Sequence, residues 1–347
     1  MKKSIFASLV LIGAFALGWF VIGRNAAKTI PTPESVSNPP LLPGAKKATK
    51  VTINEAARTL LYLPLYYADD KGFFRDAHLE VNIITGGTAT NSVAAMLSGE
   101  ADFAQADPMY APISREKGSD VKVIAQVVGR IAVWGVSFDS AVKQLTADNL
   151  RRKSVATHPR PMTAYTYTAQ YLRDAGLDPE RDVTLITSTP GTEIAAFLSR
   201  QADYMISVEP NISRAVTQGA HVVLSFPQIY GDQVLTGLMA KESYLKENRN
   251  TAIAVVHAYQ RALVEIRANP ASAAVSAAKY FPQLPESILL MAIQRMAADD
   301  VLPHSVVISE DSWKKAMAIR VAAGDLKAAS PRDANCDVSV MNEAAKE

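Results

Sequence analysis

The sequence predicts an α/β fold built as two successive lobes, on three observations. Residues 51–106 alternate short β-rich runs with amphipathic helical stretches, the signature of a parallel sheet with right-handed crossovers. The same grammar restarts over residues 154–208. The span from 51 to 330 also exceeds the usual size of one hydrophobic core.

A segment of another kind precedes the first strand. Lys2 and Lys3 stand before an uncharged, mostly apolar run from Ser4 to Gly23, which Arg24 closes. As a helix this run rises about 30 Å, enough to cross a bilayer. Residues 1–24 are therefore expected to be a signal peptide or an N-terminal membrane anchor. Ala14-Phe15-Ala16 suits cleavage only if Leu17 to Gly23 stays on the mature chain, so removal and retention both stay open. No cysteine follows the run to take a lipid. Residues 25–50 contain Pro31, Pro33, Pro39, Pro40 and Pro43 and no apolar periodicity, and read as an extended linker.

The elements then follow in order. Val51 to Ile53 is a strand, Leu63 to Asp70 a helix stopped near Lys71-Gly72, and Leu79 to Ile84 a second strand ending at Gly86-Gly87. Thr88 to Ser98 is a helix stopped by Gly99, and Ala101 to Ala106 a third strand. After the restart come strands at Ser154 to Thr157, Val183 to Ile186 and Tyr204 to Val208, with helices at Met162 to Ala175 and Gly191 to Ser199. The β-branched stretches Val121 to Phe138 and Leu235 to Ala240 are expected to carry the chain between lobes. This gives lobe 1 as residues 51–140 and 235–330, lobe 2 as 141–234, and 331–347 as a C-terminal tail.

Composition narrows the function classes. The 347 residues are 48% hydrophobic and 20% charged with a net charge of +2, which excludes a disordered, fibrous or polybasic chain. That charge is segregated: residues 1–50 hold seven Lys/Arg against Glu34 alone, leaving 29 Lys/Arg against 33 Asp/Glu. A nucleic-acid-seeking globular part is not expected. One cysteine, Cys336, and five histidines at least 36 residues apart offer no readable metal site, and no cofactor is expected. G-x-G-x-x-G, G-x-x-x-x-G-K-[ST], G-x-S-x-G, H-E-x-x-H and C-x-x-C are all absent from the sequence.

A series of short motifs carries a resemblance. They are Leu63-Pro64-Leu65-Tyr66-Tyr67-Ala68, Lys71-Gly72-Phe73-Phe74, Leu79-Glu80-Val81, Gly86-Gly87, and Leu97-Ser98-Gly99-Glu100-Ala101-Asp102-Phe103. Ala175-Gly176-Leu177-Asp178-Pro179, Gly191-Thr192-Glu193, Ala202-Asp203-Tyr204, Glu209-Pro210 and Gln218-Gly219 continue it. In this order and spacing the chain resembles the extracytoplasmic solute-binding proteins of ABC importers, in the nitrate/sulfonate/taurine and thiamine-precursor group. The resemblance implies a type II periplasmic-binding-protein fold, two α/β lobes joined by a two-segment hinge with a ligand cleft between them. It implies a monomeric periplasmic or extracytoplasmic receptor, with tethering to the inner membrane through residues 4–23 left open. Such a receptor closes on a small polar molecule, a sulfonate- or nitrate-like anion or a pyrimidine or aromatic heterocycle, and delivers it to an ABC permease.

Two other readings stay beside it. A membrane-tethered sensor or accessory protein would use the same fold without transport. Some relatives are pyrimidine-synthesising enzymes with a histidine and a cysteine-rich iron motif, but the lone Cys336 departs from that pattern, so no enzyme is expected.

Candidate ligand contacts follow from where ligands meet parallel sheets, beyond the strand ends and at helix N-termini. Arg58 and Tyr62 lie in the loop after the first strand. Thr88 and Asn91 lie in the glycine loop after the second, with Thr88 also the cap of the next helix. Gln105 and Asp107 follow the third, Asp107 doubling as a helix cap. Thr163 opens the helix after His158-Pro159-Arg160-Pro161-Met162, where His158 reads as a structural residue. Glu209, at the end of its strand, suits an amine or ring N–H, or else a salt bridge. Arg130, inside an apolar run, suits a carboxylate, sulfonate or nitrate, or else faces water at a strand edge. Tyr66 is expected in the core.

Overall fold

The computed structural model describes residues 48–160 and 162–346. The apolar run at 4–23, nearly all of the 25–50 linker, and Pro161 therefore lie outside the described residues. The first strand, β1 (Thr49–Glu55), buries Val51, Ile53 and Glu55 on one face. Its following helix, Leu63–Lys71, ends at Gly72, and the helix Ala89–Ser98, capped by Thr88, ends at Gly99. Both glycines hold a positive φ, 81° and 87°, where a Cβ would crowd the backbone, so the stops marked in the sequence are conformational. β2 (Leu79–Thr85) lies between these two helices, and β3 (Phe103–Ala106) between the second of them and β4 (Val121–Arg130).

Only residues 131–133 separate β4 from β5 (Trp134–Ser137). After it come β6 (Ser154–Thr157), β7 (Thr184–Thr187), β8 (Tyr204–Ser207), β9 (His221–Ser225) and β10 (Asp232–Lys241). Two five-stranded sheets result, ordered β2-β1-β3-β10-β4 and β7-β6-β8-β5-β9. In each, the first three strands are parallel and the fourth antiparallel. That fourth strand is delivered from the other half of the molecule, β10 into the first sheet and β5 into the second.

The chain thus crosses at residues 131–133 and 226–231, and the two crossings are joined by the Phe226 N–H donating to the Val133 carbonyl at 3.1 Å. The lobe limits move accordingly. β5, placed in lobe 1 by the sequence reading, pairs wholly with the second sheet, and β10 enters the first sheet from Asp232. The β-branched run from Val121 to Phe138 continues past this change of partner and hides it, because both sheets bury the same residue types.

The C-terminal third is helical. Arg249–Ala268 buries Ala252, Val255, Val256, Tyr259, Ala262, Leu263 and Ile266 at helical spacing and packs on Leu63–Lys71. Glu286–Ala298, expected in lobe 1, packs both on Pro270–Tyr280 of that lobe and on Asn211–Thr217 of the other. Residues 331–346 are not a tail: the short helices Arg332–Asn335 and Val338–Ala344 lie along β4, where Asp337 N–H donates to the Val123 carbonyl at 2.9 Å. Cys336, Val340, Met341 and Ala344 are buried there. Elements this short show no periodicity in sequence, which is why they read as tail. Among the described residues, no helix is long and apolar enough to cross a membrane.

Candidate functional site

In an open parallel sheet, ligands bind beyond the carboxyl ends of the strands where successive connections diverge to opposite sides. Those points fall between β1 and β3 in the first sheet and between β6 and β8 in the second. Arg320, from the helix Glu310–Ala322, joins the two. Its guanidinium pairs with Asp107 just beyond β3, and its Nη2 lies 3.4 Å from the Thr163 hydroxyl at the start of the helix after β6. Nη1 donates to Asp325 at 3.0 Å. Beside this contact, the Tyr167 hydroxyl donates to Gln233 at 3.0 Å, again from lobe to lobe.

On the first lobe, Glu55 ends β1 with its carboxylate 0% exposed. It accepts from Arg58 Nε at 2.6 Å, from the Thr85 hydroxyl at 2.8 Å and from the Tyr66 hydroxyl. Arg58 lies over Tyr66 and Tyr280, its guanidinium carbon 5.1 and 5.7 Å from the ring centroids. Tyr62 is buried beside Thr236, and burial, reinforced by the charge of Glu55, raises its hydroxyl pKa. Gln105 is buried and accepts from the Tyr259 hydroxyl at 2.7 Å. Asp107 accepts from Met109 N–H at 2.9 Å, so it holds its own loop as well as Arg320. Thr88 accepts from Asn91 N–H at 3.1 Å and Asn91 donates to the Gly86 carbonyl at 3.0 Å, both on an exposed loop. Their contacts are those of a helix cap.

On the second lobe, His158 directly follows β6 and is buried, its Nε2 3.4 Å from both Glu193 Oε1 and the Ser207 hydroxyl. Glu193 also accepts from Ser207 at 2.5 Å, Asn211 at 2.7 Å and the Gly191 N–H at 2.7 Å. Burial alone would raise its carboxyl, but the hydrogen bonds from His158, Ser207 and Asn211 outweigh it and hold the pKa at about 2.

Two candidates are engaged elsewhere. Arg130 sits at the crossing, donating to Asp232 at 2.6 Å and to the Asp299 carbonyl at 3.2 Å, with Asp300 at 3.6 Å. Its position at the end of β4 makes it a hinge ion pair rather than a free anion clamp. Glu209, 1% exposed, accepts from Arg295 at 2.7 Å and from the Ser213 hydroxyl and N–H at 2.9 and 3.0 Å. Burial raises its carboxyl pKa against the opposing charge of Arg295. It ties the second lobe to the helix Glu286–Ala298.

Sequence reasoning passed over Glu55, Glu193 as a site residue, Ser207 and Arg320. Glu55 carries a local signal, an acid ending an apolar strand. Arg320 carries none, because Asp107 and Thr163, the partners it brings together across the lobes, are far away in sequence.

Buried polar atoms without a partner gather at these same strand ends. Asn54 Oδ1 and Gln105 Nε2 belong to β1 and β3, Thr157 Oγ1 to β6, Ser188 Oγ follows β7, and Tyr230 OH lies at the second crossing. Each such group costs about 1–3 kcal/mol when left unmet, a cost that water or a ligand at these positions would relieve. A groove of about 680 Å³ opens elsewhere, between β9 and the helix Glu286–Ala298, lined by Trp134, Lys143, Gln228 and Arg295. Its buried carboxylate, Asp299, is already satisfied by Trp134, Ser225 and Gln228 at 2.6, 3.0 and 2.8 Å. Among the described residues, the partnerless buried side-chain atoms lie at the strand ends and the second crossing, not in the groove. Among the described residues, no group of three or more His, Cys, Asp or Glu is placed to hold a metal ion.

Two α/β lobes of matching strand order, crossed twice and facing each other at their strand ends, are the type II periplasmic-binding-protein architecture. The chain belongs to the NMT1/THI5 like family, whose pattern matches residues 61–273. YtlA of Bacillus subtilis (strain 168) is 26% identical over 283 residues, 80% of this chain and 84% of that protein. The periplasmic aliphatic sulphonate binding protein SsuA from Escherichia coli is similar in structure, with a TM-score of 0.66 at 16% identity over 84% of this chain and 96% of that one. The periplasmic nitrate-binding protein NrtA from Synechocystis PCC 6803 has a TM-score of 0.66 at 16% identity, covering 86% and 89%. The desulfurization enzyme DSZB shares the fold as well, with a TM-score of 0.63 at 11% identity, covering 85% and 98%.

Proposed function

We propose that this protein is an extracytoplasmic solute receptor that closes its two lobes on a small polar molecule and hands it to an ABC importer in the membrane. The observation that carries this reading is the set of partnerless buried polar atoms at the facing strand ends of both lobes. A scaffold without a ligand would gain stability by replacing them with apolar groups. Membership in the family and the likeness to periplasmic sulphonate- and nitrate-binding proteins support it. The apolar run at 4–23 supports export, with the chain tethered or released. A monomer that binds without catalysis is part of the same reading. The one cysteine is buried 4% exposed beside β4, and burial pushes its thiol up to about 12, far from a nucleophilic thiolate.

Thermal unfolding of the full-length chain against sulfonates, nitrate, pyrimidines, aromatic acids and amino acids tests the reading. A true solute stabilises by about 2.7 kcal/mol at a hundredfold excess over its Kd. No shift with any class overturns it.

A further inference from the structure

Glu55 and Arg58 form an ion pair at the end of β1, with the carboxylate buried and the guanidinium half-exposed. Arg58 is anchored on one edge only. Its Nε meets the buried Glu55 carboxylate at 2.6 Å, and its face rests on Tyr66 and Tyr280, themselves stacked with centroids 4.7 Å apart. The two Nη groups have no hydrogen-bond partner among the described residues, and the side chain is 37% exposed. Glu55 is fixed in turn by Thr85 and Tyr66. An arginine held in this way keeps its bidentate edge free and aimed, with the rotamer entropy of its long side chain already lost on folding.

The neighbouring charges set what that edge takes. Glu55 and Arg58 neutralise each other, Arg320 is occupied by Asp107 and Asp325, and Asp69 lies behind Tyr280, which donates to it at 2.5 Å. A second unit of negative charge on a ligand would meet these carboxylates, and Arg320 is already paired with two of its own.

We propose that Glu55 is the positioning residue of Arg58, and that the pair receives a singly charged oxyanion head, a carboxylate or a sulfonate, of the solute. This rests on the receptor reading and deepens it, by naming the group recognised and the residue that orients the recognising one.

Calorimetric titration of the full chain with benzoate, benzenesulfonate, phenylphosphonate at pH 8 and benzamidine tests it. Benzoate or benzenesulfonate is expected to bind more tightly than the dianionic phosphonate or the cation. Arg58→Ala is expected to weaken that binding about 10- to 100-fold, the loss of a charged hydrogen-bonding partner. Glu55→Gln is expected to weaken it about tenfold in the native background and not at all beside Arg58→Ala, because positioning residues couple to the residue they position. Glu55→Asp should recover part of the loss. If Glu55→Gln does not fold, Thr85→Val removes one donor to Glu55 and should produce a smaller loss with the same dependence on Arg58.

An equal cost of the Glu55 change in both backgrounds overturns the positioning role. Preference for benzamidine or phenylphosphonate overturns the ligand class. A neutral pyrimidine that binds while both monoanions fail leaves the receptor reading standing and removes this one. Failure of every probe and of the wider solute panel removes both.

Discussion

Glu193 shows how one carboxylate can order a strand-end site. It gathers His158 from the end of β6, Ser207 from the end of β8, Asn211 from the next helix and the backbone of its own loop. Its carboxyl lies at about 2, below the ordinary 4.5, so the folded state favours the ionised form. The stabilisation is therefore fully present above about pH 4.5 and fades as pH falls toward 2. Glu193→Gln is expected to cost about 3 kcal/mol at pH 7, and the gap to the native chain to close progressively below pH 4.5, measured by urea unfolding across pH. A gap constant from pH 7 to 3 would contradict the assignment. Local sequence marks the ends of β1, β3 and β6, near which Arg58, Gln105, Asp107 and Thr163 lie. It could not reveal that Arg130 and Glu209 are engaged, since Asp232 and Arg295 reach them only through the fold.

Among the elements, the helix Glu310–Ala322 has the contact pattern least expected from sequence. It packs on β10 in the first lobe and sends Arg320 into the gap between lobes. Burial alone would weaken the guanidinium's hold on its proton, but the charges of Asp107 and Asp325 reverse that and raise its pKa. Its two carboxylate partners are mostly buried, so removing the cation leaves them uncompensated. Arg320→Met is expected to destabilise the chain by about 3 kcal/mol, whereas Thr163→Val, which removes only the 3.4 Å contact, should stay within about 0.5 kcal/mol. Denaturant midpoints of the two variants check this, and comparable losses would show that the lobe-to-lobe contact, not the ion pair, carries the stability. Elements with a strand or helix period were readable over residues 51–106 and 154–208, whereas the helices Tyr110–Glu116 and Asn211–Thr217 and the strand β9 were not read. The segment 331–346 was not, because its helices are short and its order comes from docking along β4.

For the molecule as a whole, two sheets of the same order, each completed by a strand from the other half, explain why lobe number and class were legible while the lobe limits were not. Repeated grammar is local, but a change of sheet leaves no mark in composition. The helix Glu286–Ala298 adds a third connection, because it packs on lobe 1 through Pro270–Tyr280 and on lobe 2 through Asn211–Thr217. Arg295–Glu209 and the Asp299 contacts to Trp134, Ser225 and Gln228 fasten its lobe 2 side. Lobe motion must therefore be absorbed near this helix as well as at residues 131–133 and 226–231. Arg295→Met would leave Glu209 buried without its cation, with burial already holding the carboxyl above its ordinary value. A group raised in this way opposes folding as pH climbs above the unfolded carboxylate pKa, so the variant should lose stability between pH 4.5 and 8 by about 3 kcal/mol more than the native chain. Small-angle scattering without ligand should also show a larger radius of gyration for the variant than for the native chain, because one of the two fastenings on lobe 2 is gone. A pH-independent loss with unchanged dimensions would mean that the ion pair stabilises the second lobe alone and plays no part in holding the lobes together.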